Sequence, residues 1–178
     1  MFLSTKIVVR WDIIILELAV LVAISILHGR ICANKYKKCL RAFENGEYAF
    51  VIQCEKLIHR FRKKAITQDI LRYMIAVAYF MRNDDSSFLR HLNAITQEQV
   101  LWLKYYWLAV YALEQGDYVQ YDALQEKLLV DSMNSDRTRS LEILLLACRH
   151  KREGYVLSDE DREKVANCNY DRIKQIFA

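Results

Sequence analysis

Four short turn signals divide most of this chain into segments of similar length, and that spacing constrains the fold more than any other feature. Asn45-Gly46-Glu47-Tyr48, Asn83-Asp84-Asp85-Ser86, Gln115-Gly116-Asp117-Tyr118 and Glu153-Gly154-Tyr155 stand 38, 32 and 38 residues apart, counted at Gly46, Asp84, Gly116 and Gly154. In each, a Gly, Asn or Asp supplies the left-handed residue that ends one helix, and the residues after it open the next. Between the turns the apolar residues recur at helical spacing. Leu71, Met74, Ile75, Ala78 and Met81 make one stripe, and Leu101, Tyr105, Leu108, Ala109, Ala112 and Leu113 make another. Proline is absent and glycine occurs four times in 178 residues, which disfavours both a turn-rich β fold and a disordered linker. The pattern predicts an all-α chain with four helical hairpins at 33–63, 68–95, 97–131 and 136–177. Thr96 with Gln99 reads as a capping box, Ser158 with Asp161 as a weaker one, and Thr67 as the cap of the helix that opens the second hairpin.

A period in the thirties built from helix–turn–helix units resembles the tetratricopeptide repeat. The third unit carries the likeness best. Leu108-Ala109 followed by Glu114-Gln115-Gly116-Asp117-Tyr118 is similar to that family's Leu-Gly pair and Gly-Asp-Tyr turn, with Tyr105 at the large aromatic position. The first unit matches at Asn45-Gly46-Glu47-Tyr48, and the second at Ala76, Ala78 and Tyr79, although its turn is built on Asp84-Asp85. Tyr121 and Val51 depart from the family pattern, since both stand where a small alanine is expected, and no proline follows the repeats. The resemblance covers roughly residues 33–131. It implies a stack of hairpins whose first helices line a concave groove for a peptide or helix of another protein. Trp102, Tyr106 and Trp107 are the candidate anchors of that groove, while Tyr105 is expected in the core.

Before the first hairpin runs an apolar stretch from Ile13 to Leu27, broken only by Glu17 and Ser25. With Trp11 at one interface and Arg30 at the other, the stretch at about 11–31 reads as a single transmembrane helix, because a span needs about 20 residues. That reading divides the chain into an anchoring segment, 1–32, and a hairpin domain, 33–178. A cleaved signal peptide needs small residues after the apolar run, and Arg30 stands in their way. Glu17 is the candidate for an intramembrane contact with another helix, since a carboxylate in lipid needs a partner. Arg30, Lys35, Lys37, Lys38 and Arg41 outnumber Lys6 and Arg10 on the other side, so the hairpins are expected on the cytoplasmic face of a cell membrane. The five cysteines, odd in number and without framework spacing, agree with a reducing compartment.

From Arg30 to Lys64 ten Lys or Arg face three Glu, a local excess of +7 in a chain of net charge +4. Lys35, Lys37, Lys38, Arg60, Arg62, Lys63 and Lys64 are therefore the candidate contacts with an anionic lipid leaflet, and nucleic acid is not an expected partner of a tethered chain. The chemistry of catalysis is not in evidence. Cys148 and His150 stand two apart, Cys54 and His59 five apart, and the glycines are isolated, so neither metal-ligand spacing nor a phosphate loop can be read. The expectation is a non-enzymatic, membrane-anchored interaction module without a cofactor, serving a protein partner of unknown identity. Two alternatives are a subunit of a membrane complex assembled through Glu17 and an anchored repeat protein that assists secretion.

Overall fold

The apolar stripes and the turns between them become helices in the computed structural model. It describes residues 11–61, 64–130, 135–168 and 170–177, with side chains from Val20 onward except at 130, 135 and 136. Among the described residues every regular element is helical. They run in the order α1 (Trp11–Glu44), α2 (Tyr48–Gln53), a 3₁₀ segment (Cys54–Phe61), α3 (Ala65–Phe80), α4 (Asp85–Asn93), α5 (Glu98–Gln115), α6 (Tyr118–Val130), α7 (Ser135–Glu153), α8 (Asp159–Ala166) and α9 (Asp171–Gln175).

Three of the turns close in one way, which is the local reason the hairpins repeat. Gly46, Asn83 and Gly116 all take positive φ, at 72°, 59° and 74°. The residue after each donates its backbone N–H five residues back: Glu47 to Ala42 at 2.8 Å, Asp84 to Tyr79 at 3.0 Å and Asp117 to Ala112 at 2.8 Å. The orphan carbonyls of the helix end are thereby satisfied. Asp84 and Asp117 then cap the next helix, accepting from the backbone of Ser87 and Gln120, each at 3.0 Å. Gly154 also has positive φ, but its turn closes with a longer loop, in which Tyr155 donates to Arg149.

Helix α3 pairs with α4 and α5 with α6, and the first helices of successive hairpins also touch, α1 with α3, α3 with α5 and α5 with α7. This packing is compatible with a helical repeat. The core runs along the junctions: Phe80 meets Phe88 with ring centroids 4.7 Å apart and Trp107 at 5.5 Å, and all three are essentially fully buried. Tyr121, which replaces the expected small residue, is fully buried too.

Three expectations need correction. The transmembrane helix at about 11–31 is not upheld, because no helix among the described residues is long and apolar enough to cross a membrane. The apolar run from Ile13 to Leu27 counts only 15 residues, carries Glu17 within it and is followed by His28 and Arg30, whereas a span needs about 20 apolar residues. The Thr96 capping box does not form, since the residue before α5 is Gln97 and makes no side-chain cap. Thr67 lies inside α3, which opens at Ala65. The Ser158 cap does form, its hydroxyl accepting from the backbone of Asp161 at 3.2 Å and donating to the Asp161 carboxylate at 2.8 Å.

Candidate functional site

The inner face of the hairpin stack is made by α3, α5 and α7, and the chain's own C-terminal segment lies on it. Tyr170 stands edge-on to Trp107 with centroids 4.8 Å apart and lines one cavity with Tyr73 and Trp107. Ile173 and Ile176 are buried in the same core cluster as Phe80, Trp107 and Leu113. Farther on, the Phe177 ring sits 5.7 Å from His150 of α7. The last turn of the chain thus crosses three inner helices.

Arg172 fixes the register of that segment. Its Nε and Nη2 donate to the two Glu114 oxygens at 2.7 and 2.6 Å, Nη2 reaches Asp85 at 3.1 Å, and Nη1 donates to the Phe80 carbonyl. The guanidinium also lies over the Phe80 ring, 3.7 Å from its centroid. Phe80 is the last residue of α3 and Glu114 is in the last turn of α5, so the cation stands at the negative ends of two helix dipoles. Burial works against the charge, but the hydrogen bonds and charges of Glu114 and Asp85 outweigh it and raise the Arg172 pKa above its ordinary value.

Trp102, Tyr106 and Trp107, the candidate groove anchors, lie at this face, yet none is open to solvent: they are 5%, 6% and 1% exposed. They wall a cavity of about 230 Å³ together with Tyr73, Tyr170 and Arg139. Trp102 and Tyr106 stack with centroids 5.5 Å apart. The Trp102 indole N–H is buried without a hydrogen-bond partner among the described residues. Burial pushes the phenols of Tyr73, Tyr106 and Tyr170 above their ordinary pKa, so they stay neutral and serve as hydrogen-bonding edges of an apolar surface.

The chain matches no family model, and neither a curated protein nor a solved structure is similar enough to count as a relative. The geometry has to speak alone.

A second feature lies at the other end of the stack. Lys35 and Lys38 of α1 meet Lys56 and Arg60 of the 3₁₀ segment around a cleft of about 390 Å³. Lys37 is exposed but not among the cleft's lining residues, Lys64 precedes α3, and Arg62 and Lys63 lie outside the described residues. Glu17 falls within α1, but its side chain is outside the described residues.

Two polar clusters escaped the sequence reading. Asp69, 1% exposed, accepts from the backbone of Thr96 at 2.7 Å and Gln97 at 2.8 Å and from Arg72 at 2.7 Å, and so caps α5 from a distance. Burial alone raises a carboxylate pKa, yet these hydrogen bonds and the Arg72 charge carry Asp69 below its ordinary value. Glu55 meets the Tyr79 hydroxyl and His91 Nε2, each at 3.2 Å, and His91 stacks on Tyr79. Among the described residues no group of three or more His, Cys, Asp or Glu is placed to hold a metal ion.

Proposed function

We propose that this chain is a non-enzymatic, tetratricopeptide-like interaction module whose inner face holds a short helical segment of a partner protein. One observation carries the reading: the chain's own Tyr170–Phe177 segment lies on that face as a bound peptide does, with an aromatic anchor at Tyr170 and an arginine two residues on. Paired helices bury their apolar sides against neighbouring pairs and leave the inner face for recognition. The partner segment then carries an aromatic residue followed, two positions later, by arginine. The unpaired Trp102 N–H beside a 230 Å³ cavity supports the reading further, because it leaves room and one donor for a larger occupant than Tyr170.

A peptide copying residues 168–178 tests this by fluorescence anisotropy with the full chain. The wild type is expected to bind it weakly, because the tethered segment competes at an effective concentration in the millimolar range. The full chain carrying Tyr170→Ala and Arg172→Ala is expected to bind it at least about tenfold more tightly, and a peptide lacking the arginine is expected to lose that gain. A folded double variant that gains no affinity overturns the reading. Should the double variant unfold, Tyr170→Ala alone, which keeps the ion pair, takes its place.

A further inference from the structure

The cleft between α1 and the 3₁₀ segment gathers four cations and no carboxylate. Lys35 and Lys38 are one turn apart on α1, Lys56 and Arg60 enter from the facing segment, and Phe50, Gln53, Cys54 and Leu57 complete the lining. None of the four cations makes an ion pair among the described residues. Glu55 is turned to the other side, held by Tyr79, His91 and Arg90. Four like charges around one hollow repel each other, and a chain that keeps them so has a use for the field they focus.

The same helix supplies a second observation. Val20, Leu21, Val22, Ile24, Ile26 and Leu27 are exposed by 49–62%, on every side of α1 rather than along one stripe. A helix that is apolar all round needs cover, and none of the other described residues covers this one. Leu27 and Lys35 are eight residues apart, about 12 Å along α1. Cations ringing a hollow with apolar side chains in its lining, next to an uncovered apolar surface, match one kind of ligand: an amphiphile with a negative head.

We infer that this cleft binds the phosphate headgroup of an anionic phospholipid. Lys35, Lys38, Lys56 and Arg60 surround the phosphate, Phe50 and Leu57 meet the glycerol end, and the Val20–Leu27 stretch of α1 touches the acyl boundary of the same leaflet without crossing it. The site is independent of the inner-face reading, since the two share no residue.

Vesicle flotation of the full chain tests it, with phosphatidylcholine alone and with a fifth of the lipid replaced by phosphatidylglycerol. The readout is the ratio of the two binding constants, in which the apolar contribution of α1 cancels. The wild type is expected to favour the anionic vesicles by at least about tenfold, and the ratio to fall as salt rises. Replacing Lys35, Lys38, Lys56 and Arg60 by Gln is expected to bring the ratio close to one, while Lys37→Gln with Arg41→Gln changes it less than about threefold. An unchanged ratio in the fourfold variant overturns the inference. An equal loss in the Lys37 and Arg41 variant does so too, because it means diffuse attraction rather than a cleft. Glycerol 3-phosphate that binds the free chain as tightly as vesicles do overturns the lipid assignment in favour of a soluble phosphate ligand.

Discussion

The two ends of the hairpin stack use cations in opposite ways. At the inner face a single arginine, Arg172, is buried and gives nearly every N–H to an acceptor, two of them in a bidentate pair with Glu114. At the α1 cleft four cations stand in the open with no carboxylate among them. A buried charge survives only if it is fully paired; an exposed one costs little and remains available to something outside. The contrast separates charge that closes the molecule from charge that faces outward.

Breaking the closed side should cost most. Trp107→Ala removes a ring that touches Phe80, Tyr106 and Tyr170 and is expected to lower stability by about 3–5 kcal/mol. Glu114→Ala leaves Arg172 without its bidentate partner and is expected to cost a comparable ~3 kcal/mol. Chemical denaturation of each variant measures both losses. A loss under about 1 kcal/mol for Glu114→Ala would mean that the C-terminal segment is held by packing alone.

Asp69 comes next. Asp69→Asn keeps one acceptor oxygen for the Thr96 and Gln97 N–H groups but turns an NH2 donor toward Arg72 and removes the charge that pairs with it, so it is expected to destabilise by about 1–2 kcal/mol. Because the folded pKa lies below the unfolded one, near 3.9, the stability this group provides is present above that value. It is lost as pH falls through the lower folded value. Acid unfolding of the wild type should therefore include a component that Asp69→Asn lacks, and identical acid limbs in the two proteins would remove Asp69 from the account.

His91 gives a smaller effect of the same sign in a higher pH window. Burial lowers its pKa despite Glu55, so the folded chain favours the neutral ring. Its contribution is full above the unfolded value of about 6.5 and declines below it. Melting temperatures compared between pH 8 and pH 5 should converge when His91 is replaced by Gln. The smallest effect belongs to the open side: Gln at Lys35, Lys38, Lys56 and Arg60 should shift stability by no more than about 0.5 kcal/mol per residue, seen in the same denaturation assay. A large loss there would show that the cations hold the fold and would erase the contrast between the two ends.

What was legible in the sequence is what depends on neighbours in the chain. Gly46, Gly116 and the Asn83-Asp84 pair announced the turns because left-handed backbone has few residue choices, and the 3.6-residue stripes announced α3 and α5. The Ser158 cap was readable because both partners lie within one turn. Thr96 misled for the complementary reason: the acceptor that serves the start of α5 is Asp69, 27 residues away, and no local pattern reports it. Arg172 was invisible in the same way, being paired with residues 58 and 87 positions back. Tyr170, Ile173, Ile176 and Phe177 do carry a short apolar period, a signal that a closer reading of the C-terminal segment would have used. The transmembrane reading failed because no helix among the described residues is long and apolar enough to cross a membrane; the Ile13–Leu27 run has 15 residues with Glu17 inside it, where about 20 apolar ones are needed. The basic stretch was legible as composition, but which of its cations share one cleft depends on how the 3₁₀ segment folds back on α1.

Native-state hydrogen exchange of the wild-type chain tests the central claim most directly, because it reads the C-terminal segment without altering it. The amides of Ile173, Lys174, Ile176 and Phe177 are bonded within that segment, to Tyr170, Ile173 and Lys174. If the segment is a displaceable occupant of the inner face, these amides should exchange through a local opening several kcal/mol below global unfolding, while those of α5 do not. Excess peptide copying residues 168–178 should speed them further. Exchange of both sets only through global unfolding, with no response to the peptide, would contradict the account and make the segment a fixed part of the core.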